Sequence, residues 1–248
     1  MGALPLGIQL YTVRNELRED FKGTLQRIAE MGFQAAEFGS DFGGMNPDKA
    51  ATFVRGLGLE TCGIHGGVFQ LQDPSDPVYE YAEALGSDFV TTGLLREVHN
   101  DWSAAMGNVR AAAEVAHEKG FTFTYHNHAE ELDTVDGRVA LDALFEASDP
   151  DKVRFELDTY WVRKGGYDPV DYIRRFAGRV PQVHLKDMDA ETGTFTEIGE
   201  GIMDLHAIHE AAVRAGVRWM IYEQDRWERP PLESCRISIE NLRKTGLL

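Results

Sequence analysis

Along the chain, an amphipathic stretch ending in Gly gives way repeatedly to a short run rich in β-branched and aromatic residues. The segments AEMGFQAAEF, RGLGLETCGI, EALGSDFVTT, HEKGFTFTYH, FAGRVPQVHL and RAGVRWMIYE all keep this order. The pattern predicts helix, turn, strand. Gly32, Gly58, Gly86, Gly120, Gly178 and Gly216 are expected at positive φ just past each helix end, where a Cβ would be strained. Helix starts are marked as well. Asn46-Pro47 and Asp168-Pro169 each pair a capping side chain with proline at the first helical position. Phe21, Leu25 and Ile28 recur at core-facing spacing. With GIQLYTV at the start and VRFELDTYW in the middle, eight strands are expected, beginning near Gly7, Phe33, Leu59, Asp88, Phe121, Val153, Pro181 and Arg218.

Helices between successive strands force parallel pairing with right-handed crossovers. Eight units of about 31 residues each in 248 residues therefore predict a closed (β/α)8 TIM barrel occupying residues 1–248 as one domain. The competing fold is a doubly wound open sheet. It would carry a Gly-rich phosphate turn after an early strand, and the chain has neither GxGxxG nor GxxxxGK[ST]. No Pro/Ser-rich linker divides the sequence.

Charge narrows the range of partners. With 41 acidic against 25 basic residues the formal charge is −16, which opposes nucleic acid, since affinity for phosphates comes from clustered Lys and Arg. A small, neutral substrate is expected. Two cysteines, Cys62 and Cys235, make no disulfide framework, so a reducing cytoplasm is the expected location. The start of the chain lacks the pattern of an export signal, and no window approaches 18 uncharged apolar residues, so no membrane association is expected. The sequence leaves a homo-oligomer open.

Strands of a parallel barrel are covered on the outside and packed on the inside, so both faces should be apolar. Several here are not. Val153, Phe155 and Leu157 alternate with Arg154, Glu156 and Asp158; Val183 and Leu185 with Gln182, His184 and Lys186; Phe121, Phe123 and Tyr125 with Thr122, Thr124 and His126. The last strand sends Trp219, Ile221 and Glu223 to one side and Met220, Tyr222 and Gln224 to the other. Side chains alternate, so the polar set points into the barrel. A buried carboxylate costs several kcal/mol unless it is paired or coordinated, and active sites form at the C-terminal rim of such barrels. Asp158, His184 and Glu223 thus suggest a divalent cation: Mn²⁺ first, with Co²⁺, Zn²⁺ or Mg²⁺ also suited to the donor set. A fourth ligand would come from His126, His128, Glu130 or Glu131.

The segments GIQLYTVR, YHNHAEEL, FELDTYWVRKGGYDP, VHLKD, GEG and YEQD, in this order, make the chain resemble the sugar phosphate isomerase/epimerase group of the xylose-isomerase-like TIM barrels. The resemblance implies a metal held by Glu131, Asp158, His184 and Glu223. The chain reads HNHAEEL where the group usually reads HNHDFEF, so Ala129 and Glu130 depart from the pattern beside Glu131. More distant relatives place a Glu within strand five, near the position of His126.

The implied activity is metal-dependent isomerisation or epimerisation of a sugar, keto-sugar or polyol derivative, by proton transfer through an enediolate. Glu131 and Glu223 would act as acid and base, Lys186 would stabilise an oxyanion, and His126 would shuttle protons. His65, Glu37, Gln9 and Trp161 are expected to contact a carbohydrate or cyclitol substrate. Plainer readings stand beside these: an ion-pair network of the carboxylates with Arg154 and Lys186, a structural His65, an ion-paired Glu37, a polar pair of Lys186 with Asp187, and Trp161 as core packing. His206 and His209 are expected to be surface or helix-packing residues, and His99 and His117 receive no role. If the enediolate expelled a leaving group, the enzyme would be a lyase, such as a keto-inositol dehydratase or a 3-keto-glycoside-cleaving enzyme. A DNA-repair endonuclease would need more metal ligands and a basic face, and a noncatalytic sugar-binding barrel is a fourth reading. The acidic loop after strand seven, with Glu197 and Glu200, is expected to be a mobile cover that disfavours a phosphorylated substrate.

Overall fold

The computed structural model describes residues 3–93 and 101–248; His99 lies outside the described residues. The barrel strands are β1 (Leu6–Gln9), β2 (Ala35–Phe38), β3 (Glu60–His65), β4 (Phe89–Gly93), β5 (Thr122–His126), β6 (Val153–Asp158), β7 (Gln182–Leu185) and β8 (Trp219–Tyr222). Each pairs in parallel with its neighbours in sequence, and β1 closes on β8 with Leu6, Gly7 and Ile8 beside Met220, Ile221 and Tyr222. The expected (β/α)8 barrel is borne out, and every strand starts within two residues of its expected position.

Local chemistry explains the alternation. All six turn glycines have positive φ, from 73° to 100°. Asn46 accepts the Lys49 backbone N–H and Asp168 accepts that of Val170, each with proline opening the helix that follows. These caps satisfy donors that the first helical turn leaves unpaired. Leu25 and Ile28 are fully buried on the helix Phe21–Met31, and Val153, Phe155 and Leu157 are buried on the outward face of β6. Each such side chain contributes roughly 1.5–3 kcal/mol over remaining exposed. No helix among the described residues is long and apolar enough to cross a membrane.

The barrel interior changes character along its axis. Ala35, Cys62, Phe89, Trp219 and Ile221 form a small apolar cluster, several of them at the first residues of their strands, and this closes the N-terminal end. Above this floor the inward residues become polar. The register shifts between β2 and β3 at Ala36/Glu37, which brings Gly63 opposite Glu37. A Cβ on Gly63 would run into Glu37 Oε1 and lie 2.9 Å from Gln182 Nε2. Glycine there makes room for a carboxylate in the barrel.

Candidate metal centre and active site

Two residues link the polar interior into two layers, because each turns its two ring nitrogens to opposite sides. His184 Nε2 lies 2.8 Å from Glu37 Oε2 and 3.1 Å from Glu156 Oε1, while its Nδ1 lies 2.8 Å from Glu223 Oε2. His126 Nδ1 lies 3.0 Å from Glu156 Oε1, and its Nε2 lies 3.8 Å from Asp158 Oδ2. The deeper layer is completed by His65, whose Nε2 is 2.7 Å from Glu156 Oε1 and 3.2 Å from Glu37 Oε2. Gln9 Nε2 donates to Glu37 at 2.7 Å. In the layer nearer the mouth, Lys186 Nζ lies 2.8 Å from Asp158 Oδ2, 2.7 Å from Glu223 Oε2 and 2.9 Å from Asp225 Oδ2.

These groups set one another's ionisation. Burial alone would raise Glu37, but His65 and His184 outweigh it and hold that carboxylate well below its usual range. Glu156 is lowered to about 2, burial and Glu37 being overcome chiefly by His184 and His65. His65 rises to about 10 and His184 well above its ordinary value, against burial, because Glu156 and Glu37 face them. Burial and the neighbouring His184 hold His126 well below its ordinary value, hence neutral. Around Lys186 the balance differs. Burial opposes its charge, but Asp158, Glu223 and Asp225 raise the ammonium well above normal. Burial leaves Asp158 raised despite Lys186, and burial with the Glu223 charge raises Asp225 to about 7. Three carboxyls sharing one ammonium carry more negative charge than Lys186 neutralises.

That excess fits a divalent ion. His126, Asp158, His184 and Glu223 each offer one donor atom, all within 4.8 Å of one another and all buried. Two imidazoles and two carboxylates suit Mn²⁺, Co²⁺ or Zn²⁺. Above the cluster opens a cavity of about 920 Å³, lined among others by Gln9, His65, His126, His128, Trp161 and Glu223. Trp161 and Phe195 form one wall, with ring centroids 5.6 Å apart, and Tyr160 stacks on Phe195 at 4.1 Å.

The structure brings His126, Asp158, His184, Lys186 and Glu223 together, with Gln9, His65 and Trp161 at the cavity. Glu37 departs from its expected place: it is fully buried in the deeper layer and does not line the cavity. Glu131 departs further. It lies on a short 3-10 turn, Glu130–Leu132, where its oxygens accept the Tyr125 hydroxyl at 2.7 Å and the His128 N–H at 2.9 Å. Tyr125 is on the outward face of β5, so Glu131 is drawn away from the cluster and His126 stands in the strand-five position. Arg154 bonds the Gly178 carbonyl at 2.7 Å and takes no part in the network. Asp187 turns from Lys186 to backbone N–H groups of the following loop. His206 is exposed on the helix Leu205–Ala215, His209 is half-buried on it, and His117 is exposed, as expected. His128, a candidate fourth ligand from sequence, lines the cavity but is not in the cluster of donors, and sequence reasoning passed over Glu156 and Asp225 as site residues. Strand parity pointed to both, which share a face with Asp158 and Glu223.

The family described as xylose isomerase-like TIM barrel matches residues 25–245. The chain belongs to that family of TIM-barrel proteins. The inosose dehydratase of Geobacillus kaustophilus (strain HTA426) is 30% identical over 246 residues, covering 82% of this chain and 79% of the relative. A crystal structure of a sugar phosphate isomerase/epimerase from Parabacteroides distasonis ATCC 8503 superimposes with a TM-score of 0.84 at 20% identity, covering 100% of this chain and 96% of that one. A crystal structure of the IOLI protein with a bound zinc atom has a TM-score of 0.76 at 14% identity, covering 98% and 97%. The two structural likenesses show the shared fold.

Proposed function

We propose that the protein is a divalent-metal-dependent enzyme that removes the proton beside a carbonyl of a keto-sugar or keto-cyclitol and returns it elsewhere, as an isomerase or epimerase. The observation that carries this reading is the convergence of His126, Asp158, His184 and Glu223 beside Lys186 and Asp225 at the barrel mouth. The four would hold the ion, Mn²⁺ being our choice. A bound divalent ion supplies Lewis acidity, which lowers the cost of charge developing on adjacent substrate oxygens.

The chain's own groups supply the proton chemistry. Glu223 stays ionised because Lys186 and His184 outweigh its burial, which suits a metal ligand and makes it the weaker base of the two carboxylates at the end of β8. Asp225, raised to about 7 by burial and Glu223, can give or take a proton near neutral pH, where such a group is most effective. The Lys186 ammonium, fixed by three carboxylates, stabilises an oxyanion without reorganising. Trp161 and Phe195 shield one face of the bound ring from water. Both cysteines are free and buried, which suits a reducing cytoplasm.

A second reading is favoured by the inosose dehydratase relative: after proton removal a β-hydroxyl or glycosyl oxygen leaves, with Asp225 donating a proton to it, and the enzyme is a lyase. Incubation in deuterium oxide with keto-sugars and inososes, after bound metal is quantified, separates the two. Deuterium at the carbon beside the carbonyl, with the skeleton intact, supports the first reading, and a dehydrated or cleaved product supports the second. Neither product from metal-loaded protein across the panel, with Glu223→Gln behaving like the unaltered chain, would remove both.

A further inference from the structure

We infer that Glu156 is a positioning residue that decides which nitrogens of His126 and His184 are free to bind a metal. The inference rests on the metal reading above and concerns a residue outside the ligand set. Glu156 Oε1 lies 3.0 Å from His126 Nδ1, 3.1 Å from His184 Nε2 and 2.7 Å from His65 Nε2. A carboxylate only accepts hydrogen bonds, so each nitrogen facing it carries a proton. A neutral imidazole has one N–H. Without an ion His184 faces carboxylates on both sides and holds both protons. Once a cation takes the place of one proton, the N–H kept at Glu156 leaves the lone pair on the opposite nitrogen: Nε2 of His126, towards Asp158, and Nδ1 of His184, towards Glu223. One oxygen thereby sets the tautomer of His126 and shares that of His184 with Glu37, whose Oε2 is the nearer acceptor at 2.8 Å.

Glu156 is itself held firmly. It has no exposed surface, its Oε2 accepts from Thr91 Oγ1 at 3.3 Å, and Thr91 is paired with Thr124 at 2.7 Å. It stands two residues before Asp158 on the inward face of β6, so consecutive inward positions of one strand provide a supporting group and then a ligand. Glu37 Oε2 repeats the contact to His184 Nε2 at 2.8 Å. His65, His126, Glu156 and His184 also bring donor atoms within 4.8 Å of one another. A second ion there is disfavoured, because the two carboxylates of that layer, Glu37 and Glu156, already face three imidazoles, whereas nearer the mouth three carboxyls share Lys186. Groups that buttress metal-binding imidazoles in this way typically change affinity by roughly 10- to 100-fold.

The test uses Zn²⁺, which is diamagnetic. In the loaded protein, long-range ¹H–¹⁵N spectra of the imidazoles should show protons on His126 Nδ1 and His184 Nε2 and zinc on the other nitrogens. Glu156→Gln should fold normally and bind Zn²⁺ roughly 10- to 100-fold more weakly, with Glu156→Asp recovering part of the loss. Zinc on His126 Nδ1 or His184 Nε2, two zinc ions per chain, or unchanged affinity in a folded Glu156→Gln protein would each overturn the inference. If that variant does not fold, the unaltered metal-free protein decides: protons on both Glu156-facing nitrogens support the inference, and a bare nitrogen at either overturns it. Failure of the unaltered protein to bind Zn²⁺ would count against the metal reading, while the metal-free spectra would still test the proton placement.

Discussion

The Lys186 ammonium lies 2.7 Å from Glu223 Oε2 just past the ends of neighbouring strands, with side chains 1% and 7% exposed. It also meets Asp158 and Asp225, so it is the cation on which three carboxyls depend. Removing one partner of a buried pair costs about 3–5 kcal/mol, because the remaining charge is left without compensation. Lys186→Met should therefore lower the thermal midpoint of the metal-free protein by on the order of 10 °C. Added Mn²⁺ should restore more of the midpoint in this variant than it adds to the unaltered protein. Equal Mn²⁺-induced shifts in the two proteins would show that the ion does not share the carboxylates of Lys186.

The fold was legible because its determinants are local. Six glycines past helix ends and two Asn/Asp-Pro caps mark the units, and strand parity placed Asp158, His184 and Glu223 inside the barrel. Glu131 was not legible. It follows the strand, where parity lapses, and a short turn carries it to the hydroxyl of outward-facing Tyr125. Arg154 obeys parity in sequence, but from the N-terminal end of β6 a long side chain bonds the carbonyl of Gly178 instead. The deeper layer was hidden for another reason. Glu37 meets His184 across 147 residues of sequence, and no periodicity within one strand reveals a partner on the far side of a barrel.

Asp225 is raised to about 7 by burial and the Glu223 charge, with Lys186 opposing. An unfolded Asp titrates near 3.9, so between about pH 4 and 7 the folded chain binds the extra proton and this carboxyl subtracts stability as pH rises. In chelator-treated protein, Asp225→Asn should remove that component. The midpoint of the variant relative to the unaltered chain should therefore increase from pH 4 to pH 7. A constant difference across that window would mean that Asp225 ionises normally.

The cavity lining includes the cations Arg14, Lys164 and Arg226 and the carboxylates Glu223, Asp225 and Glu228. Arg14 is already engaged, donating to the Tyr11 and Asp225 carbonyls at 2.8 and 3.0 Å and stacking on Tyr11 and Trp227. Lys164 donates to the Gly193 carbonyl at 3.0 Å. His65 is a further cation of the lining but is held by Glu156 and Glu37, so with Arg14 and Lys164 engaged and three acidic residues in the wall a phosphate gains little net attraction here. Free keto-sugars should be turned over with a kcat/KM at least about tenfold above their phosphorylated counterparts, equivalent to about 1.4 kcal/mol. A panel of paired substrates in which the phosphate esters win would reverse this assignment.

Asp187 gathers the loop that carries Phe195. Its Oδ1 accepts the N–H of Met188 at 2.8 Å and of Met203 at 3.0 Å, and its Oδ2 accepts those of Gly199 at 2.8 Å and Gly201 at 3.3 Å. Ser234 donates to Glu197 at 2.6 Å, and Arg229 pairs with Glu197 and Glu200. The loop expected to be a mobile cover is thus fastened at its base in this structure. Asp187→Ala removes all four acceptor contacts, a loss larger than the roughly 1.5–3 kcal/mol of one hydrogen bond to a charged group. Phe195 should then leave its stack on Tyr160. Since Phe195 forms cavity wall and meets the Lys186 ammonium through its ring face, at 5.8 Å, KM should rise several-fold while kcat changes less, and brief proteolysis should cut within residues 189–203 of the variant but spare the unaltered chain. Equal resistance of both proteins to cleavage would show that the other contacts hold the loop without Asp187.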